Sequence, residues 1–249
     1  MKDILPLKRL FINTELKTNA LIALSSSNTH YIINVLRMRG GENISIFNGK
    51  QGEWKGCIKS LTKKKAIIKI GNQIKEQKDE ELINIIYTPI KGQRHYYLIE
   101  KITELGVNNI FPIFTDHSVI KKVNFKKINS CLISAAQQSG RLSIPEFHQP
   151  QYLNNFINSW DSKKNIIFCD ESKADLNNNN FLSKIGNKNN LNTILIGPEG
   201  GFSKKEKNYL IKKKFIISIS LGNRILRSDT AAIFALSFFL KKKKKKSHN

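Results

Sequence analysis

Two glycine-bearing turns, about 25 residues apart, are the strongest constraint on what this chain folds into. The first turn has the sequence IGPEGGFS at 196–203, and the second has LGNRILRSDTA at 221–231. Each follows an apolar run that predicts a buried strand, at 193–196 and at 215–221, and each leads into a helical pattern. Two successive strand–turn–helix units present backbone amides at the same end of one sheet, where open α/β folds bind small molecules.

The residues in these turns exclude the common nucleotide-binding loops. A Walker loop needs a Lys and then a Ser or Thr after its second glycine, whereas Phe202 and Ser203 follow Gly201. A dinucleotide fingerprint needs three glycines at fixed spacing and a later acidic residue, and neither turn has them. Turn chemistry alone explains either motif equally well, so the prediction of a binding site depends on the two motifs together.

The charge of the chain favours a polyanionic partner. The 249 residues include 42 Lys and Arg against 19 Asp and Glu, which gives a formal net charge of +23. Neutralising phosphates with such side chains releases counterions, which favours nucleic-acid binding. Lys, Asn and Ile are overused throughout, with runs at 177–180 and 241–246, so compositional drift explains part of the excess.

Cysteine and histidine spacing predicts neither disulfides nor a metal site. Cys57, Cys131 and Cys169 lie far apart, and the five His residues show no metal-ligand spacing. We therefore expect a reducing, cytoplasmic compartment and chemistry without a metal. The sequence has no signal-peptide pattern and no run of about 18 apolar residues, so we expect neither export nor membrane insertion.

A change in the period of the apolar pattern near residue 72 predicts two domains. Before it, short apolar runs separated by Asn48-Gly49 and other turns indicate a small antiparallel barrel. After it, strand-like runs alternate with helical stripes, which indicates an α/β domain with a mostly parallel sheet. We predict a β-barrel domain at 1–72 and an α/β domain at 73–249, with a charged linker at 71–81.

Local signals mark several helices. Leu98, Ile102 and Leu105 mark a helical stripe that Gly106 closes, and another helix is expected at about 125–139. Ser203 and Glu206 form a capping box that starts a helix directly after the first glycine turn. The last helix, about 229–240, is apolar nearly all round and needs cover on more than one side, from the core or from a second subunit. The lysines beyond it are expected to trail as a solvated tail.

These motifs resemble the bacterial 16S rRNA uridine-N3 methyltransferases, the ribosomal RNA small subunit methyltransferase E family of the SPOUT class. Matching blocks occur in the same order at 9–12 (RLFI), 30–38 (HYIINVLRM), 100–107 (EKITELGV) and 138–141 (QSGR). The resemblance implies a trefoil-knotted, mostly parallel SPOUT domain behind an N-terminal PUA-like RNA-binding barrel. The chain departs from the family pattern at His117, where an Arg is usual, and at Ser228-Asp229, which replaces a Thr-Glu pair.

The resemblance also implies an activity and its site. It implies methylation of N3 of a uridine in 16S rRNA or the small ribosomal subunit, with S-adenosylmethionine as cofactor, S-adenosylhomocysteine as product, no metal, and a homodimer. The expected cofactor-binding residues are Thr88, Ile196, Gly197, Glu199, Gly200, Gly201, Leu221, Gly222, Asn223, Ile225 and Leu226. The catalytic candidates, which would stabilise the charge that develops on the uridine ring, are Arg227 and then Arg224. The expected RNA contacts are Arg9, Arg37, Arg39, Lys91, Arg94 and Arg141.

Two other functions remain open from the sequence. A SPOUT enzyme that acts on tRNA or on a ribose 2′-hydroxyl would share the cofactor turns. A ribosome-assembly RNA-binding protein that has lost its chemistry would bind the cofactor without transferring a methyl group. The two catalytic candidates also have alternative roles, in binding phosphate or in ion pairs with Glu199 or Asp229.

Overall fold

The computed structural model describes residues 8–170 and 192–246, with side chains as far as residue 238. The chain divides into two compact units. The first comprises Met1–Glu80 and Ala136–Ile144, and the second comprises Glu81–Ala135 and Pro145–Asn249. The predicted domain limits at residues 72 and 73 stay a prediction. The asparagine run at 177–180 lies outside the described residues.

The first unit is built on a five-stranded sheet. Its strands are β1 (Arg9–Phe11), β2 (Leu21–Ala23), β3 (Asn43–Phe47), β4 (Glu53–Leu61) and β5 (Ala66–Lys75). Their order is β1-β3-β4-β5-β2, antiparallel except for the parallel β1–β3 pair. Helix α1 (Ser26–His30), continued by a π-helical segment (Tyr31–Val35), follows β2. The predicted antiparallel N-terminal sheet is confirmed, and its closure into a barrel stays a prediction.

The hairpin between β3 and β4 forms where Asn48-Gly49 predicts it. Gly49 has a φ of 82°, a left-handed conformation that glycine adopts without strain. Strand β5 is longer than expected, because Gln73 and Lys75 still pair with β4. The predicted start of the linker at residue 71 is therefore wrong. Asn72, Gln73 and Lys75 make the end of β5 polar, and composition alone cannot distinguish such a strand from a charged linker.

A nearly buried ion pair holds β1 within the first unit. Arg9 Nε donates to Glu53 Oε1 at 2.7 Å, and the two side chains are only 12% and 11% exposed. The other guanidinium nitrogens of Arg9 donate to the carbonyl oxygens of Ala136, Gln137 and Arg141 at 2.8, 3.1 and 2.9 Å. These contacts tie the segment at 136–144 to the sheet, which explains why this later part of the chain belongs to the first unit.

The second unit contains a parallel sheet. Its strands are β6 (Asn84–Tyr87), β7 (Asn109–Phe114), β8 (Glu146–Phe147), β9 (Gln151–Tyr152), β10 (Ile166–Cys169), β11 (Thr193–Ile196) and β12 (Ile216–Ile219). The order is β12-β10-β11-β6-β7-β8, β9 also pairs with β7, and every described pair is parallel. The predicted α/β class with a mostly parallel sheet is confirmed. The trefoil knot stays a prediction.

Four of the five described helices of this unit lie where the sequence predicts a helix, and the helix at 153–159 was not predicted. They are α2 (Gln93–Glu104), α3 (Phe125–Ser139), α4 (Leu153–Ser159), α5 (Lys204–Ile211) and α6 (Ser228–Lys246). The last four residues of α3 belong to the first unit. Gly106, with a φ of 86°, follows α2 as predicted, and the Ser203–Glu206 capping box starts α5. The expectation of a lysine tail is wrong, because α6 continues to Lys246; lysine has a good helix propensity, and extending a formed helix is favourable. None of the described helices is apolar over a length that would cross a membrane.

Glu53 makes the stability of the first unit depend on pH. Burial raises the pKa of its carboxyl, but hydrogen bonds from Arg9 and Ser45 and the charge of Arg9 outweigh burial, so the pKa is lowered. A carboxyl with a lowered pKa in the folded chain contributes stability above its unfolded-state pKa of about 4.3. That contribution is lost as the pH falls through the folded-state pKa.

We expect Glu53→Gln to lower the free energy of unfolding by about 2 kcal/mol near neutral pH, because it removes the charge from a nearly buried, hydrogen-bonded pair. The difference from the wild type should shrink below about pH 4, where the wild-type carboxyl also becomes neutral. Urea unfolding at several pH values measures both. Glu15→Gln, in an exposed pair with Lys17 at 3.1 Å, is the matched control. An undiminished difference at acid pH would contradict this role for Glu53.

Candidate functional site

The order of strands brings the carboxyl ends of β12, β10 and β11 side by side. Phe168 of β10 lies opposite Leu195 of β11 and Ser218 of β12. The turns that follow these strands therefore open at one edge of the sheet, where parallel sheets bind ligands. A cleft of about 560 Å³, counted to its open mouth, lies at this edge.

The first glycine turn, residues 197–202, forms one wall of the cleft. A Cβ atom at Gly197 would lie 2.5 Å from the ring of Phe202, so only glycine leaves room for that ring. Phe202 in turn packs edge-on against Phe168, with ring centroids 5.3 Å apart. Gly201, with a φ of 68°, closes the turn through a hydrogen bond from its N–H to the carbonyl of Pro198 at 2.9 Å. The glycines therefore shape an aromatic wall.

The second glycine turn, residues 220–227, is joined to the first through the start of α6. The N–H of Gly222 donates to Ser220 Oγ at 3.2 Å, and the φ of Gly222 is 119°, which other residues rarely adopt. The turn leads into α6, where Ser228 Oγ donates to the carbonyl oxygen of Gly197 at 2.9 Å. The start of α6 and the first turn are thus joined across the cleft.

The loop after β7 contacts the first glycine turn and the start of α5 through hydrogen bonds of two side chains, Asp116 and His117. His117 Nδ1 lies 2.9 Å from the carbonyl oxygen of Gly201 and 3.1 Å from that of Gly200, so this nitrogen carries the proton that it donates. Ser203 Oγ donates to Asp116 Oδ2 at 2.6 Å. His117 therefore binds this turn through a side-chain N–H group.

The structure brings together about half of the predicted cofactor residues. The six that line the cleft are Ile196, Gly197, Gly201, Leu221, Gly222 and Leu226. Within the described residues, the five that lie outside its lining are Thr88, Glu199, Gly200, Asn223 and Ile225. Ile225 is 79% exposed. Both catalytic candidates are exposed. Arg224 lines the cleft and Arg227 lies outside its lining, and the roles of both stay predictions.

Sequence reasoning missed the contribution of β10. Phe168, Cys169 and Asp170, at the end of that strand, line the cleft together with Lys207 of α5. Asp170 is almost fully buried, and its Oδ1 lies 3.7 Å from Lys207 Nζ. Burial raises the pKa of the Cys169 thiol, which stays neutral. The sequence predicts β10 as a strand but not its neighbours, so the only available signal was a Cys-Asp pair at a strand end.

The predicted RNA-binding residues differ in exposure and in whether the structure already gives them an acidic partner. Arg37, Arg39 and Lys91 are exposed. Arg9 is engaged with Glu53 and three carbonyl oxygens, and Arg141 is 6% exposed in an ion pair with Glu80 at 3.0 Å. Because these two guanidinium groups already have structural partners, their geometry gives the RNA-binding prediction no support. Arg94 forms ion pairs with Glu199 and Asp229.

No group of three His, Cys, Asp or Glu side chains converges on a metal position within residues 8–170 and 192–246. The cleft instead offers apolar and aromatic side chains, backbone groups of glycines, and one buried carboxylate beside an ammonium group. Such a lining suits an organic ligand that has both apolar and charged parts.

Known proteins resemble this chain along most of its length. Residues 77–240 match an RNA methyltransferase domain family, and residues 24–71 match an RNA methyltransferase PUA domain family. Ribosomal RNA small subunit methyltransferase E from Rickettsia conorii is 30% identical over 92% of this chain and 93% of its own length. The protein of the same name from Buchnera aphidicola is 33% identical, with 95% and 96% covered. A protein from Legionella pneumophila, solved with the cofactor SAM bound, has a TM-score of 0.84 and 30% identity, with 95% and 98% covered.

Proposed function

We propose that this chain, which belongs to the ribosomal RNA small subunit methyltransferase E family, transfers a methyl group from S-adenosylmethionine to N3 of a uridine in 16S rRNA. The observation that carries the proposal is the cleft between the two glycine turns that the family resemblance assigns to the cofactor. Family membership, expected from the sequence motifs, is confirmed. The PUA match in the first unit supports an RNA substrate.

The residues of the cleft fit S-adenosylmethionine. Phe202, Leu221 and Leu226 offer an apolar surface for an adenine ring, and the glycine turns leave backbone groups within reach of its edge. Asp170 and Lys207 carry one charge of each sign, which matches the amino and carboxylate groups of the methionine part. The Thr88 hydroxyl is buried and has no hydrogen-bond partner among the described residues. It follows Tyr87, which pairs with Ile196, so it lies at the same edge of the sheet.

The chemistry needs charge stabilisation and no metal. Bound S-adenosylmethionine supplies a methyl group that is already activated on a sulfonium. The chain must hold the uridine, which has left its stack, and stabilise the negative charge that remains when N3 loses its proton. Arg224 is now the first candidate for that role because it lines the cleft. Arg227 becomes the second, because it lies outside that lining.

The proposed partner is 16S rRNA, free or in the small ribosomal subunit. Arg37 and Arg39 of the first unit and Lys91 of the second are exposed cations suited to phosphate contact. The cysteines at 57, 131 and 169 are free, which is compatible with action in the reducing cytoplasm.

The proposed function is tested by nucleoside mass spectrometry of rRNA from cells with and without this protein. We expect 3-methyluridine in 16S rRNA only when the protein is present, and transfer of a labelled methyl group to the same nucleotide by the purified protein. Methylation of a ribose or of tRNA would replace the proposed substrate. Cofactor binding without methyl transfer to free 16S rRNA or to small subunits would identify a binding protein instead.

We expect Gly197→Ala to weaken the binding of S-adenosylmethionine about tenfold or more, because the added methyl group displaces the Phe202 ring that walls the cleft. Gly200→Ala is the matched comparison in the same turn. Its added Cβ atom would meet His117 Cβ at 3.6 Å, an ordinary contact, so a smaller effect is expected. Isothermal titration calorimetry measures both affinities. Equal affinities of the two variants for S-adenosylmethionine would contradict the proposal that Phe202 forms a wall of the cofactor pocket.

The two arginines near the cleft make a matched pair of variants. Arg224→Ala should lower the single-turnover rate of methyl transfer about 10²-fold at saturating cofactor, as the loss of a charge-stabilising donor does. Arg227→Ala removes the same charge from an exposed position outside the lining, so its rate should change much less. A larger loss of rate in Arg227→Ala than in Arg224→Ala would make Arg227 the first candidate for charge stabilisation.

We also propose that the protein is a homodimer through α6. Ala232, Ala235 and Leu236 are buried within the unit, but Phe234 on the same helix is 41% exposed and stacks edge-on with Phe238 at 5.1 Å. Phe234→Asp should therefore shift the protein toward monomers in sedimentation velocity, whereas Phe234→Leu should remain dimeric because it keeps an apolar side chain. A wild-type protein that sediments as a stable monomer at micromolar concentration would contradict this proposal.

A further inference from the structure

Arg94 connects two acidic side chains from different parts of the second unit. Its Nε and Nη2 atoms donate to the two carboxylate oxygens of Asp229 at 2.9 and 2.6 Å, and its Nη1 atom donates to Glu199 Oε1. Glu199 lies in the first glycine turn, and Asp229 lies in the first turn of α6, directly after the second glycine turn. One side chain from α2 therefore contacts both segments that form the cleft.

Arg94 extends from a firmly anchored helix. The next residue, His95, is buried, and its Nε2 atom lies 2.7 Å from the hydroxyl of Tyr87 in β6. Burial lowers the pKa of His95 to about 4, so the ring is neutral at neutral pH and shares this hydrogen bond with Tyr87. Gly92, with a φ of 74°, turns the chain into α2 two residues before Arg94. The helix is thus fixed to the sheet at the position from which Arg94 reaches the cleft walls.

A second contact joins the same two segments beside the charged one. Ser228 Oγ donates to the carbonyl oxygen of Gly197 at 2.9 Å. Ser228 precedes Asp229 on α6, and Gly197 lies two residues before Glu199 in the first turn. The hydroxyl joins the segments directly, and Arg94 joins them through α2. Together they fix the spacing of the walls at two neighbouring points.

The exposure of the three charged groups indicates what they do. Asp229 is 12% exposed, Arg94 is 34% exposed and Glu199 is 47% exposed. The two hydrogen bonds from Arg94 lower the pKa of Asp229, as a guanidinium fork on a carboxylate does. Exposed ion pairs contribute little to global stability, so the Glu199 contact adds little to the folding of the unit. The position of these contacts, at the walls of the cleft, matters more than their contribution to folding.

We propose that Arg94 is a positioning residue of the cofactor cleft, which fixes the spacing of the two turns before the ligand binds, rather than a residue that contacts RNA. The inference rests on the proposed function, since it takes S-adenosylmethionine as the ligand. A cleft whose walls are already held in place loses less conformational entropy when the ligand binds. Without Arg94, the walls sample wider spacings and the affinity for the ligand falls.

Arg94→Met tests the proposal, because it keeps much of the aliphatic stem and removes the charged fork. We expect the Kd of S-adenosylmethionine, measured by calorimetry, to rise about tenfold. In methyl-transfer assays the KM for the cofactor should rise more than kcat falls, because saturating ligand restores the closed spacing. Fewer folded molecules would instead lower kcat and leave KM unchanged. Arg94→Lys should recover part of the affinity, since it keeps the charge without the fork.

Lys101→Met is the matched control on the same helix. Lys101 pairs with Glu100 and Glu104 of α2 itself, at 2.9 and 2.8 Å, so the same substitution there should leave the Kd unchanged. The double variant Arg94→Met, Asp229→Asn should bind S-adenosylmethionine no more weakly than Arg94→Met alone. The reason is that both substitutions remove the same contact, between Arg94 and Asp229.

An unchanged Kd of S-adenosylmethionine in Arg94→Met would overturn the proposal. A raised KM for RNA with an unchanged Kd for the cofactor would overturn it as well and would make Arg94 an RNA contact. If Arg94→Met does not fold, Arg94→Lys is compared with the wild type by the same measurements. A wild-type protein that binds no S-adenosylmethionine would instead overturn the proposed function.

Discussion

The parallel pairing of β12, β10 and β11 is the constraint on which the rest of the second unit depends. Parallel strands end at the same edge of a sheet, so their following turns meet there without any attraction between the turns themselves. The first and second glycine turns, separated by about 25 residues, are in this way placed on either side of the end of β10. The side chains then only adjust a cleft that the backbone topology has already created.

Local features of the fold could be predicted from the sequence, because their causes lie within a few residues. The capping box at Ser203 and Glu206, the C-terminal glycine of α2 and the hairpin at Asn48-Gly49 each depend on backbone groups that adjacent side chains satisfy. The order of strands has no such local cause. The part of the cleft lining supplied by β10, with the buried carboxylate of Asp170, was therefore missed although the strand itself was predicted.

The partners of the basic residues also could not be predicted from the sequence. An excess of positive charge suggests a surface for RNA, yet Arg9 and Arg141 are nearly buried and bind carboxylates that lie 44 and 61 residues away in the sequence. Arg94 reaches Asp229 across 135 residues. From composition alone these residues are indistinguishable from unpaired cations, because their acidic partners are far away in the sequence. Arg37 and Arg39, which are exposed near turns of the first unit, remain the better candidates for phosphate contact.

At the start of α6, two residues differ from the family pattern and retain a hydroxyl and a carboxylate. The family resemblance places a Thr-Glu pair where this chain has Ser228 and Asp229. The hydrogen bond to Gly197 needs only the hydroxyl that Ser and Thr share, so the lost methyl group is not required for it. Aspartate is one methylene shorter than glutamate, and the long side chain of Arg94 reaches both of its carboxylate oxygens. Since a guanidinium on a flexible stem tolerates such a shift, the carboxylate can shorten while the two walls of the cleft stay joined.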